Sequence, residues 1–151
     1  MIDMKLENNE IAVTAPILTK LTPVIEAYPE VVSGYLFGST ATGHAHKDSD
    51  VDIAVRLVPG LSAEKRFQLR LELIDRIEKL VELAVDIVLM NDTSLTMLNQ
   101  IFSHGMPVFI RDTEDEEQFK LLKQKEFFDF RYYLDRDLDQ MKRYFGGTAH
   151  D

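Results

Sequence analysis

The chain contains no cysteine, which excludes disulfides, thiolate nucleophiles and Cys-based zinc sites. No apolar run reaches the length of about 18 residues that a bilayer-spanning helix needs. The opening MIDMKLENNEIAVTAP also lacks the basic and apolar regions of a secretion signal. Nothing calls for an oxidising compartment, and the cytoplasm is the expected location. Basic residues are few: 17 Lys and Arg stand against 26 Asp and Glu, a formal charge of -9. That charge repels nucleic acid and anionic membranes at long range. Direct nucleic-acid binding is not expected, whereas small anions neutralised by a metal ion remain suitable ligands. The chain shows no internal repeat or low-complexity block, and 151 residues leave no room for a second large domain.

Apolar periodicity gives an order of elements. Leu18, Leu21, Val24 and Ile25 mark a short amphipathic helix with Pro16 near its first turn. VVSGYLF, rich in β-branched and aromatic residues, reads as a strand that ends at Gly38-Ser39. DVDIAVRLV alternates, with Val51, Ile53 and Val55 on one face and Asp50, Asp52, Ala54 and Arg56 on the other. Pro59-Gly60 stops it, and Ser62 caps a helix with an expected apolar stripe of Phe67, Leu71, Ile74, Ile77 and Val81. LAVDIVLM follows as a strand, LTMLNQIFSHG as a helix preceded by Ser94 and ending near Gly105, and MPVFI as a short strand. The strand-helix-strand order places neighbouring strands in one sheet. A long helix runs from roughly Glu114 to Phe145, and GGTAHD is a frayed tail.

Asp50 and Asp52 lie two residues apart on a strand and so share a face, about 6 to 7 Å apart. Two uncompensated carboxylates there repel one another. A pair of magnesium ions about 3.5 to 4 Å apart would relieve that repulsion and use the spacing. Asp86, an anion inside the apolar LAVDIVLM, completes the set if the two strands pair. Charge within apolar strands costs desolvation unless it is compensated. Taken singly, the Asp-x-Asp pair also suits the wet side of a half-buried strand, and Asp86 could pair with a basic residue such as Arg56. Gly38 permits a tight turn and close backbone approach, while the Ser39 hydroxyl and successive amides can hold phosphate oxygens.

The segment GSTATGHAHKDSDVDIAV resembles the nucleotidyltransferase pattern, in which Gly-Ser after one strand is followed by Asp-x-Asp opening the next. With Gly43 and Ser49 between, and the succeeding VDIVLM strand, it is most similar to the minimal nucleotidyltransferase (MNT) proteins. Within them it resembles the antitoxins of HEPN/MNT toxin-antitoxin pairs. The resemblance covers roughly residues 30 to 110. It implies an α+β, polymerase beta-like fold, a small mixed sheet flanked by helices, with a long C-terminal helix. The expected division is a nucleotidyltransferase core over 1-112, a helical extension over 113-145 and a flexible tail over 146-151.

The same resemblance implies transfer of AMP from ATP onto a tyrosine hydroxyl of a HEPN-domain RNase toxin of the HepT type, which silences it. Carried over residue by residue, Gly38 and Ser39 hold the triphosphate, Asp50 and Asp52 bind two Mg2+ ions, and Asp86 is the third catalytic, metal-binding carboxylate. Lys47 can touch a polyphosphate, and His44 and His46 can stack on a base or bond to phosphate; all three also suit an exposed loop. The aromatics of the last helix, among them Phe127, Phe128, Phe130, Tyr132, Tyr133, Tyr144 and Phe145, are too many for one narrow stripe. Some form a protein-binding face or a homo-oligomer seam. The alternatives are a small-molecule, antibiotic-type nucleotidyltransferase and a non-catalytic antitoxin that acts by stoichiometric binding.

Overall fold

The computed structural model describes residues 16–38 and 50–146. Helix α1 spans 16–26 and buries Ile17, Leu21 and Ile25, one turn apart on a single face. Strands β1 (Val31–Phe37) and β2 (Val51–Leu57) follow. Helix α2 (Ala63–Val81) begins where the Ser62 hydroxyl accepts the Lys65 amide, as its sequence position foretold. Strand β3 (Val85–Leu89) leads to helix α3 (Leu95–His104), whose N-cap Ser94 accepts the Met97 amide. After β4 (Met106–Ile110), helix α4 runs over Thr113–Met141 and ends in a wider turn at Lys142–Gly146.

The sheet order is β3-β2-β1-β4. β1 is antiparallel to both β2 and β4, whereas β2 and β3 are parallel, joined by the α2 crossover. This is the mixed α+β arrangement with a long final helix. Helices cover both sides. On one, α1 and α2 pack Leu21, Ile25, Leu69, Leu73 and Ile77 against Val51, Ile53, Val55 and Ile87. Each fully buried Leu or Ile there contributes about 1.5 to 3 kcal/mol. On the other, Leu98 and Ile101 of α3 close over Tyr35 and Ala54, with Phe119 of α4 at the margin.

The expected stripe of α2 is corrected in part. Ile77 is buried and Ile74 and Val81 pack against the core as expected, but Phe67 and Leu71 are half exposed and Leu69 and Leu73 take the buried positions instead. Both sets recur at helical spacing, and the angle at which α2 crosses the sheet selects between them. Pairing of Asp86 with Arg56 is also not found, because the two side chains engage different partners. Arg56 binds the first turn of α4: its Nη2 lies 2.7 Å from Asp115 and its Nε donates to Glu116 at 2.9 Å. Tyr35 donates to the other Glu116 oxygen at 2.5 Å. Burial first, and then the Glu116 bond, push the Tyr35 hydroxyl well above its ordinary pKa. The Arg56 guanidinium also lies 4.5 Å above the Phe119 ring. This buried group fastens α4 to the sheet.

Candidate active site

The alternation of β2 that buries Val51, Ile53 and Val55 turns Asp52 to the opposite face, beside Ala54 and Arg56. Because β2 and β3 run parallel in register, Asp52 stands directly across from Asp86. Asp50 immediately precedes β2 and is exposed. The charges of the other two act on Asp52. The Asp52 carboxyl is held above its ordinary value of 3.8 by partial burial first, then by the negative charges of Asp86 and Asp50.

Gly38 ends β1 beside them. Its φ of +70° lies in the left-handed region that only glycine enters at little cost. A Cβ at this position would collide with the Asp52 carboxylate. The glycine therefore brings the end of the β1 backbone directly against the acidic pair. Of the residues singled out in the sequence, the structure sets Asp52 across from Asp86, Gly38 against Asp52, and Asp50 near enough for its charge to act on Asp52. Ser39, His44, His46 and Lys47 lie outside the described residues.

Arg70 is the participant that periodicity did not reveal. From α2 it reaches the outer edge of β3, where Nε donates to the Ile87 carbonyl at 2.6 Å and Nη2 meets Asp86 at 3.1 Å. Among the described residues the carbonyl belongs to an edge strand, so Arg70 supplies the partner that a further strand would otherwise give. Both charged groups of the ion pair are substantially solvated, which makes the pair weak and exchangeable. The signal in the sequence was faint: a basic residue flanked by Leu69 and Leu71, on a helix whose buried side was ambiguous.

A parallel strand-helix-strand unit, carboxylates aligned across it and a glycine against them are the elements of a nucleotide-transfer fold. Residues 19–114 match the family of polymerase beta nucleotidyltransferase domains, and the chain belongs to that family. Among individual proteins, it is similar to the protein adenylyltransferase MntA of Shewanella oneidensis, with 30% identity over 88 residues. That match covers 58% of this chain and 60% of MntA, less than two thirds of the relative's length.

Solved structures share the fold. A toxin-antitoxin crystal structure with AMP-PNP superposes with a TM-score of 0.66 at 24% identity, over 83% of this chain and 96% of the other. A complex of tri-AMPylated Shewanella oneidensis HEPN toxin with MNT antitoxin gives 0.57 at 20% identity, over 90% and 98%.

The donor set suits the magnesium ions that the resemblance implies. Asp50, Asp52 and Asp86 offer hard carboxylate oxygens; Asp52 is raised first by burial and then by the charges of Asp86 and Asp50, and a cation would neutralise that second contribution. Among the described residues, no three His, Asp or Glu side chains stand arranged to hold a metal as they are. Asp86 would have to exchange Arg70 for the ion, an exchange that its exposure permits. No helix among the described residues is long and apolar enough to cross a membrane.

Proposed function

We propose that this chain is an antitoxin adenylyltransferase: it transfers AMP from ATP to a tyrosine hydroxyl of a HEPN-domain RNase toxin and so neutralises it. The observation that carries the reading is the register of Asp52 with Asp86, with the Gly38 backbone against Asp52. The names of its relatives supply the acceptor class, since one is a protein adenylyltransferase and another holds an AMPylated HEPN toxin.

In this reading Gly38, with Ser39 and Lys47, cradles the triphosphate by close backbone approach and added donors. Asp50, Asp52 and Asp86 would hold Mg2+, which when bound neutralises the phosphate charge. Asp86, the most solvent-facing of the β-strand pair, accepts the proton of the incoming tyrosine. The phenolic oxygen forms a bond to the α-phosphorus, the bond from that phosphorus to the bridging oxygen breaks, and pyrophosphate leaves. The product is a phosphodiester on tyrosine. A protein acceptor brings its own docking surface. The exposed apolar side of α4, which continues the face seated on the sheet, is the surface we assign to that partner.

Intact-mass measurement of a HEPN-domain toxin, after incubation with this chain, ATP and Mg2+, tests the reading. Adenylyl increments are expected with the native chain and none with the Asp50→Ala, Asp52→Ala double variant. Equal modification by that variant would remove the carboxylates from the reaction. A toxin that binds the native chain yet gains no mass would favour neutralisation by binding alone.

A further inference from the structure

A pocket of about 300 Å³ opens at the end of β1, lined by Phe37, Gly38, Met97, Gln100 and His104. It adjoins the acidic cluster through two of these residues. Phe37 pairs with Asp52 in the β1-β2 register, and a side chain on Gly38 would strike the Asp52 carboxylate. One glycine thus separates the pocket from the carboxylates. Met97, Gln100 and His104 lie three and four residues apart on α3 and so share a helix face. Phe37 and Met97 make the interior apolar and polarisable. The wall is almost entirely apolar, and the lining residues whose side chains are able to add hydrogen bonds at its mouth are Gln100 and His104, both exposed.

The geometry points to this pocket as the seat of the purine base of the nucleoside triphosphate, with Gln100 as the residue that selects adenine. This deepens the proposed adenylyl transfer and rests on it. An apolar slot with a few convergent polar groups is the usual form of a small-ligand site. A carboxamide sets a donor beside an acceptor, which matches N7 and the N6 amino group of adenine. Guanine presents two acceptors on that edge and leaves the amide oxygen opposed. The acceptor tyrosine is the competing occupant. Its single hydroxyl must reach the α-phosphorus beside the carboxylates, and the ring has no second polar group for Gln100.

The test is calorimetric binding to the full chain with Mg2+, using AMP-PNP, GMP-PNP and inorganic tripolyphosphate. The native chain is expected to bind AMP-PNP about tenfold or more tighter than GMP-PNP. Gln100→Ala should lose about tenfold in AMP-PNP affinity and most of the discrimination. Met97→Trp, which fills the pocket, should bind both nucleotides no better than tripolyphosphate, while tripolyphosphate affinity stays unchanged. Thermal melts of both variants establish that they fold.

If AMP-PNP binds the native chain and both folded variants equally, the base lies elsewhere and the assignment fails while nucleotide binding stands. If those variants also raise the KM for the toxin, the pocket belongs to the acceptor and the assignment is likewise overturned. If neither AMP-PNP nor tripolyphosphate binds the native chain, the adenylyl-transfer reading fails, and the pocket assignment fails with it.

Discussion

Asp52 sits where function and stability pull in opposite directions. Its carboxyl is raised above the ordinary 3.8 by burial and by the charges of Asp86 and Asp50. Between that ordinary value and the raised one, the folded chain holds a proton that the unfolded chain has released. Stability contributed by this group therefore falls as pH climbs through that window, and above it the full penalty remains. Below the ordinary value both states are protonated and the penalty disappears. Asp52→Asn removes the charge, so in EDTA the variant should melt about 2 to 5 °C higher at pH 7, a modest gain because partial exposure screens the charges. The difference should vanish near pH 3, and catalysis should be lost. Equal melting temperatures at pH 7 would mean that neither burial nor the charges of Asp86 and Asp50 load Asp52. Much of this residue-level arrangement was legible, because a carboxylate within an apolar strand needs a reason and a glycine before Ser-Thr suggests close approach. Arg70 was not: its role depends on which strand lies at the sheet edge, and alternation does not report strand order.

Helix α4 is held by a connection that joins residues 60 positions apart in the chain. Arg56 was legible as a polar-face residue of β2, but its choice of Glu116 over Asp86 follows from three-dimensional placement. Asp112 caps α4, and Glu114, Asp115 and Glu116 fill its first turn, where negative charge suits the helix dipole. The same acidic run thus starts the helix and supplies the buried partner for Arg56 and Tyr35. Glu116→Ala would leave a buried guanidinium with Asp115 alone and a buried phenol without its acceptor. The expected cost is about 2 to 4 kcal/mol in urea unfolding, with α4 loosened from the sheet; Glu116→Gln, which keeps an acceptor, should cost less. A loss below about 0.5 kcal/mol in Glu116→Ala would show that the group is not what fastens α4, since exposed pairs commonly measure that little. Element types and order were readable from periodicity along the whole described chain. The facing of α2 was not, because its apolar residues are numerous enough to satisfy two stripes, and only packing against β2 and β3 distinguishes them.

At the scale of the whole molecule, α4 exceeds what its own domain can cover. Phe127 is its last buried residue, yet the same side continues through Phe130, Leu134, Leu138 and Met141, which are 41% to 55% exposed. At 3.6 residues per turn these positions fall within an arc of about 80°, so they form one continuous apolar face rather than scattered surface contacts. Contiguous apolar surface of this kind marks an interaction site. Its flanks carry both Arg131 and Lys142 and Asp135 and Asp137, suited to the polar rim of an interface. The sequence already showed more aromatics here than one narrow stripe could hold; which of them shared a face emerged only with the helix register. If this face receives the HEPN toxin, Leu134→Asp together with Leu138→Asp should leave the melting temperature within about 2 °C of the native value, since exposed substitutions change stability little. The same variant should lose co-purification with the toxin and the adenylyl increments on it, while still binding AMP-PNP as the native chain does. Undiminished co-purification would exclude this face as the toxin contact. A native chain that is dimeric by light scattering, made monomeric by the two aspartates without losing the toxin, would identify the face as a seam between copies of this chain instead.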